Sequence, residues 1–157
     1  MTQRSTHHDT FVIERTFASS PERVFKALSD PAAKSKWFGG PDDWSSGAYK
    51  LDFRVGGHES ISGGPSGGPV HHYNATFYDI VPDQRIVTTY EMHLGENRIS
   101  VSLATTEIEP KGKGTRMIYT EQGVYLDGYD NAGQREHGTK ELFDALERSL
   151  TTEGATV

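Results

Sequence analysis

The sequence contains no cysteine. Thiol nucleophiles, Cys-type zinc sites and cysteine-ligated iron–sulfur clusters are therefore excluded, and nothing suggests an oxidising compartment. The chain also lacks an apolar run near the roughly 18 residues that a membrane span requires. Its opening letters, MTQRSTHHDT, have no apolar core of the kind found in secretory signals. We therefore expect a cytoplasmic protein without a membrane span.

Basic residues are in the minority, because 16 Lys and Arg stand against 22 Asp and Glu, for a formal net charge of -6. No basic block concentrates positive charge, so nucleic acid is not an expected partner. No Walker-type phosphate loop is present, since the only Gly-Lys pair, Gly112-Lys113, falls in a predicted hairpin turn. No Gly-x-Ser-x-Gly elbow is present either, and Ser66 within GPSGG lies in a predicted mobile loop. Nucleophilic catalysis is not expected.

The 157 residues suffice for one domain with a single core. Residues 1–9 are polar and aperiodic, and they are predicted to form a disordered tail ahead of a domain over residues 10–152. The letters TFVIERTF, residues 10–17, alternate between apolar and other side chains. This period of two predicts a first strand.

A helical period follows in SSPERVFKALSDP, residues 19–31. Ser19 or Ser20 is the predicted N-cap, and Glu22 would complete a capping box with Ser19. The helix is predicted to end at Asp30, which precedes a proline. The next letters, AAKSKWFGGP, are predicted to add one helical turn that stops at the glycine pair.

The middle of the chain consists of strand patterns separated by turn signals. The predicted strands are GAYKLDFRVG (47–56), HESIS (58–62), VHHYNATFYDIV (70–81), RIVTTYEMHL (85–94), RISVSLATTEIEP (98–110) and TRMIYTEQG (115–123). Consecutive hairpins predict an antiparallel meander. About the last 25 residues return to a helical period with one apolar stripe, which must pack on the sheet. We predict an α+β domain in which a curved antiparallel sheet grips one long C-terminal helix.

Glycine and proline are concentrated in RVGGHESISGGPSGGPVHH, residues 54–72. Since no helix-opening phosphate loop fits this stretch, we interpret its Gly/Ser/Pro run over residues 62–69 as a flexible connection between two strands. The functional alternative is a mobile lip over the mouth of a pocket.

Four segments in order, SSPERVFKALSDPAAKSKWFGG, LDFRVGG, YDIVPDQRIVTTYEM and GTRMIYTEQG, resemble the bacterial relatives of the activator of the heat-shock-protein-90 ATPase. The ending YLDGYDNAGQREHGTKELFDALERSL is similar to a branch of the same group, which belongs to the START-like (SRPBCC) superfamily. The resemblance covers about residues 10–150 and implies a helix-grip fold with an apolar-to-mixed cavity between the sheet and the last helix. That superfamily includes lipid carriers, hormone receptors, cyclases and co-chaperones, so the fold does not decide the function.

Strand alternation then nominates the side chains that face such a cavity. The predicted ligand-binding residues are Trp37, Phe38, Thr88, Tyr90, Met92, Met117, Tyr119, Glu121, Phe143 and Leu146. Further tyrosines that could give the cavity amphipathic walls are Tyr73, Tyr78, Tyr125 and Tyr129. A slip of one residue on a strand would invert its part of the first list. Core packing is the alternative reading for the Trp37-Phe38 pair.

Glu121 is the one candidate catalytic residue. A carboxylate at the end of an otherwise apolar inward face would lose solvation, which suits it for general acid or base chemistry. The alternative is a strand-end residue in water or in a structural ion pair.

A metal site is not predicted, and no cofactor is expected. His71 and His72 are adjacent on a predicted strand, so they point to opposite faces and cannot share one ion. His58 and His93 complete no recognised ligand spacing, and His137 is interpreted as structural or as a pocket-mouth residue.

Three functions remain open. A small hydrophobic or aromatic ligand bound in the cavity is favoured over an acid–base enzyme of the cyclase or dehydratase type that would use Glu121. Stimulation of a heat-shock chaperone ATPase ranks third, because the eukaryotic activator works with a second chaperone-binding domain for which this chain has no room. A homodimer through an exposed sheet edge or the Trp37-Phe38 region is left open.

Overall fold

The computed structural model describes residues 4–39 and 45–155. In chain order its elements are β1 (Thr6–Phe17), α1 (Pro21–Ser29), α2 (Pro31–Lys34), β2 (Ser45–Ser46), β3 (Lys50–Leu51), β4 (His58–Gly64), β5 (His71–Val81), β6 (Arg85–Leu94), β7 (Asn97–Lys111), β8 (Gly114–Leu126) and α3 (Ala132–Ala155). Among these described residues, no helix has both the length and the apolar content that crossing a bilayer would need.

All the strands join one antiparallel sheet in the order β1-β8-β7-β6-β5-β4-β2, and β3 also pairs with β4. Strands β4 to β8 form the predicted meander, with each strand hydrogen-bonded to the next in sequence. The predicted α+β helix-grip architecture is confirmed. The connection predicted over residues 62–69 is confirmed only from residue 65 on, because residues 62–64 extend β4 and residues 65–70 join it to β5.

The core lies where α3 and α1 pack against the inner face of the sheet. Its buried members are Phe11, Ile13, Phe17, Val24, Ala27, Leu28, Trp37, Phe77, Ile86, Ile108, Met117, Phe143, Leu146 and Leu150. The alternation predicted for β1 is confirmed, since Phe11, Ile13 and Phe17 are buried whereas Val12 is exposed. The apolar stripe predicted on the last helix is also confirmed, since Phe143, Leu146 and Leu150 are buried.

The predicted tail over residues 1–9 is wrong for Thr6–Asp9, which form the first third of β1. Thr6 pairs with Leu126. Just beyond that pair, the carboxylate of Asp127 accepts hydrogen bonds from the backbone N–H of Ser5 and from the guanidinium of Arg4. The strand partner lies about 120 residues away in the sequence, so local polarity gave no sign of it.

Two local predictions are also corrected. Ser20, not Ser19, caps α1 by accepting a hydrogen bond from the backbone N–H of Arg23, so the capping box with Glu22 does not form. Only Lys50–Leu51 of the strand predicted over 47–56 is paired. Tight turns follow, with Gly56 at a φ of 84°, a left-handed conformation that glycine adopts without strain. Gly40, where the second helical turn was predicted to stop, lies outside the described residues.

Candidate functional site

Glu121 lies on the inner face of β8. Thr115, Met117 and Glu121 have no measurable exposure, as their common parity on the strand requires. On β6 the same alternation buries Ile86, Thr88 and Tyr90. The predicted inward faces of both strands are therefore confirmed, whereas contact of these residues with a ligand stays a prediction.

The buried carboxylate of Glu121 is surrounded by hydroxyl donors. The Tyr90 hydroxyl lies 2.8 Å from both carboxylate oxygens. The Tyr119 hydroxyl donates to Oε1 at 2.6 Å, and the Ser102 hydroxyl donates to Oε2 at 3.2 Å. Because an ionised carboxylate has about four acceptor positions, these contacts use most of its capacity.

Arg135, from the first turn of α3, balances the charge of Glu121. Its Nη1 lies 3.6 Å from Glu121 Oε2 and donates to the Tyr90 hydroxyl at 2.8 Å. Its Nη2 donates to Ser100 and to Asp130, each at 2.8 Å. Asn131 holds this helix start by accepting from the backbone N–H of Gln134. We call this set the Glu121 cluster, namely Tyr90, Ser100, Ser102, Tyr119, Glu121, Asp130 and Arg135.

A second buried carboxylate, Glu59 on β4, is only 1% exposed. Lys34 from α2 reaches it with Nζ, at 2.9 Å from Oε1 and 2.7 Å from Oε2. The hydroxyl of Tyr49 donates to Oε2, and that of Tyr73 donates to Oε1 at 3.4 Å. We call Lys34, Tyr49, Glu59 and Tyr73 the Glu59 cluster.

Aromatic rings connect the two clusters. The ring of Tyr73 lies 4.8 Å from that of Tyr90 and 5.1 Å from that of Phe38. Tyr119 contacts Phe143 of α3 at 5.2 Å. The predicted residues Phe38, Tyr90, Tyr119 and Phe143 therefore belong to one continuous aromatic surface, and Met92 packs beside it.

Other predicted site residues lie deeper in the protein. Met117 and Leu146 are fully buried in the main core. Trp37 is also a core residue, and its indole N–H donates to the backbone oxygen of Ala27 at 2.9 Å. Tyr78 and Tyr129 are 61% and 40% exposed, so their prediction as cavity walls is wrong.

Burial is the main cause that raises the tyrosine pKa values in this region. Burial and then the charges of Glu59 and Tyr90 raise the pKa of Tyr73, and burial followed by Tyr90 and Glu121 raises that of Tyr119. Burial and Glu121 also raise the pKa of Tyr90. These tyrosines therefore stay neutral, which keeps their hydroxyls available as donors to the carboxylates.

Space beside α3 is present one turn after Arg135. Gly138 is only partly exposed, yet a Cβ at this position would meet no atom within 4 Å. Residues three apart on a helix lie on neighbouring turns of one side. Gly138 therefore leaves open space on this side of α3, one turn after Arg135.

The described residues also form two clefts of moderate size. One of about 290 Å³ is lined by residues of β4 to β7, among them Ser60, Asn74 and Glu91 and also Glu59 and Tyr90 of the two clusters. The other, of about 210 Å³, lies between the end of β1, the start of α1 and the last turns of α3. Both fall below the roughly 300–1,000 Å³ that small-molecule sites usually occupy.

The histidines considered as metal ligands make different contacts, and only His72 and His93 lie opposite each other, on β5 and β6. His58 contacts Thr76, and His93 contacts Glu91. Burial lowers the pKa of His71. Within the part of the chain that the structure describes, no three His, Asp or Glu side chains are grouped to hold a metal ion.

Sequence reasoning missed Lys34, Tyr49, Glu59, Ser100, Ser102, Asp130 and Arg135. The alternation in HESIS could have identified Glu59 as inward-facing, since Glu59 shares its parity with Ile61, the apolar residue of that segment. Lys34 and Arg135 carry no such signal, because each lies in a helix end whose orientation is fixed by tertiary packing.

Comparisons with known proteins agree with this architecture. Residues 18–151 match the family described as Activator of Hsp90 ATPase homolog 1-like protein. A solved protein from Rhizobium leguminosarum is 46% identical with a TM-score of 0.91, over 96% of this chain and 99% of that one. One from Rhizobium loti is 47% identical with a TM-score of 0.86, over 92% and 99%.

A more distant solved structure shares the fold. It is an AHSA1-like protein from Aeromonas hydrophila, 18% identical with a TM-score of 0.72, over 93% of this chain and 94% of that one. A search of curated proteins gave no match.

Proposed function

The chain belongs to the family of Activator of Hsp90 ATPase homolog 1-like proteins, and from that premise we propose that it binds a small ligand between α3 and the inner face of the sheet. The ligand has an aromatic or hydrophobic body and at least one polar group. The observation that carries this proposal is the fully buried Glu121 with its hydroxyl donors and Arg135.

The energetic cost of such a cluster supports a functional role. Replacing a buried ion pair with apolar side chains of similar volume is often neutral, or stabilising by about 1–4 kcal/mol. A core built for stability alone therefore has little use for Glu121 and Arg135. Their hydroxyl partners hold both charges in one geometry, and preorganised polar groups of this kind fix the orientation of a ligand.

The surrounding side chains define the chemistry of the ligand. The rings of Tyr73 and Tyr90 contact each other, and that of Tyr119 contacts Phe143. An aromatic or acyl body suits a surface of this kind. A guanidinium has five N–H donors, and the hydrogen bonds of Arg135 within the described residues go to Tyr90, Ser100 and Asp130. An acceptor on the ligand, such as a carbonyl or carboxylate oxygen, fits the remaining donor capacity.

The geometry favours binding over acid–base catalysis. A general base must reach the proton that it removes, within about 2.6–3.2 Å. The oxygens of Glu121 already accept from Tyr90, Tyr119 and Ser102 at such distances. A substrate would have to displace one of these hydroxyls before Glu121 could act on it.

The proposal is tested by native mass spectrometry of the protein purified from its own host, together with fluorescence titration of 8-anilinonaphthalene-1-sulfonate as an aromatic anionic probe. We expect a retained molecule, or binding of the probe that weakens about tenfold or more in Arg135→Met, which corresponds to about 1.4 kcal/mol. Arg98→Met is the matched control, because Arg98 lies in the exposed pair with Glu91.

Two results would contradict the proposal. One is the absence of a retained mass combined with equal probe affinity in both arginine variants, with circular dichroism showing that each is folded. The other is stimulation of the ATPase of the host's own Hsp90-type chaperone that persists in Arg135→Met. That outcome would indicate that the chain instead stimulates a chaperone ATPase, the activity for which the family is named.

A further inference from the structure

Strand β1 forms one edge of the sheet. Its twelve residues, Thr6–Phe17, pair with β8 in an unbroken register, and no other strand within residues 4–39 and 45–155 pairs with its second side. Natural edge strands are commonly protected by bulges, prolines or charged side chains. This strand has no bulge and no proline, and its charged residues are Asp9, Glu14 and Arg15. Asp9 Oδ1 accepts a hydrogen bond from the backbone N–H of Thr10, and the remaining backbone groups of this edge are able to accept another strand.

Exposed side chains accompany the open edge. Residues 6–10 are exposed on both faces of the strand. Val12 is 56% exposed on the outer face. The other face carries two oppositely charged side chains, Asp9 and Arg15, and Asp9 lies 3.6 Å from His7.

We propose that β1 pairs antiparallel with β1 of a second copy of this chain, with Val12 opposite Val12 on the two-fold axis. Asp9 of each copy then faces Arg15 of the other, and Thr10 faces Glu14. Opposite charges placed directly across an antiparallel pair are stabilising. Arg15 already contacts Asp144 on α3 of its own chain, at 2.7 Å. Asp9 of the second copy therefore extends an existing ion pair.

Charge distinguishes this register from its neighbours. A shift of the axis to Phe11 places Arg15 opposite His7, and a shift to Ile13 places Arg15 opposite Phe11. A half-step shift between Phe11 and Val12 would set odd-numbered residues opposite even-numbered ones, whose backbone groups point to opposite sides of the strand, so no ladder could form. Of these registers, only the axis at Val12 pairs Asp9 with Arg15, and this self-complementarity favours a second copy of the chain as the partner.

The absence of native cysteine makes the register directly measurable. Residues opposite one another in an antiparallel pair have Cα atoms about 4.5–5.5 Å apart, within the roughly 4.4–6.8 Å that a disulfide spans. Val12→Cys should therefore form an intermolecular disulfide under mild oxidation. Thr10→Cys is the matched control, because its thiols would be four residues apart along the strand, about 13 Å.

The oligomeric state of the wild-type chain is measured in parallel by sedimentation velocity over a series of concentrations. We expect a concentration-dependent dimer, and disulfide formation at least about tenfold faster in Val12→Cys than in Thr10→Cys. Asp9→Arg should weaken the dimer about tenfold or more by facing Arg15 with a like charge.

Three outcomes would overturn the proposal. The wild-type chain could remain monomeric at every concentration up to about 0.5 mM. Its affinity for a second copy would then be far weaker than a specific interface requires. The two cysteine variants could crosslink at equal rates, which would indicate random collision. A dimer could also persist unchanged in Asp9→Arg, which would place the interface elsewhere. None of these results bears on ligand binding at the Glu121 cluster.

Discussion

The rings of Tyr73 and Tyr90 lie 4.8 Å apart and join two buried carboxylates. The Tyr73 hydroxyl donates to Glu59, and the Tyr90 hydroxyl lies within hydrogen-bonding distance of both oxygens of Glu121. Each carboxylate also has one cation, Lys34 or Arg135. The inner face of the sheet therefore carries two polar clusters within one aromatic surface, and the consequences of this arrangement can be measured.

Substituting Glu121 with Gln is expected to destabilise the fold. The change removes the charge that faces Arg135 and leaves an amide N–H₂ beside the hydroxyls of Tyr90 and Tyr119. Loss of hydrogen bonds to a buried charge costs about 1–3 kcal/mol. Urea unfolding of Glu121→Gln and of the exposed control Glu107→Gln measures the difference. A cost equal to that of the control would contradict this prediction.

The ion pair between Lys34 and Glu59 is expected to show strong coupling. Removing one partner of a buried pair costs about 3–5 kcal/mol, because the other charge is left without compensation. We therefore expect Lys34→Met and Glu59→Met each to destabilise the chain strongly, and the double variant to cost much less than their sum. A thermodynamic cycle of unfolding free energies checks this, and additive costs would show that the pair contributes nothing.

Gly138→Ala is expected to stabilise the fold by about 0.5–1 kcal/mol, because glycine is unfavourable inside a helix and a Cβ here meets no atom. Gly128→Ala is the control. Gly128 has a φ of 74°, where an alanine Cβ costs about 1–2 kcal/mol. The midpoint temperature of thermal unfolding should rise in Gly138→Ala and fall in Gly128→Ala. If the space beside Gly138 admits the ligand, Gly138→Leu should also weaken probe binding.

Alkaline pH is expected to unfold the protein. Five of its seven tyrosines have raised pKa values in the folded state, all mainly because of burial: Tyr49, Tyr73, Tyr90, Tyr119 and Tyr125. An unfolded tyrosine ionises near pH 10, so above that pH the unfolded chain binds fewer protons than the folded chain. Stability is therefore complete below about pH 10 and falls as pH rises.

The loss should continue through about pH 12, the raised pKa of Tyr125, and beyond it for the more deeply buried tyrosines. Phenolate absorbance should appear together with the loss of near-ultraviolet circular dichroism. Titration of all seven tyrosines well before unfolding would contradict the burial of the Tyr73, Tyr90 and Tyr119 hydroxyls.

Much of the fold could be predicted because its signals are local. The alternation of β1, the apolar stripe of α3 and the glycine-rich connection over residues 65–70 each follow from side-chain period and turn chemistry. The segment over residues 47–56 shows where this fails. Its apolar residues predict a strand over the whole segment. Because turns follow Leu51, only a two-residue strand forms there and pairs with β4.

The sequence by itself determined which residues share a face on strands such as β8, because successive side chains of a strand point to opposite faces. The position of Glu121 on the same face as Met117 therefore follows from the alternation of β8 alone. Only the tertiary structure decided what surrounds it. Arg135 and Tyr90 reach Glu121 through contacts between segments 14 and 31 residues away, and Lys34 reaches Glu59 across 25 residues. Helix placement on the sheet sets such pairings, and that placement is a collective result of core packing that no local period encodes.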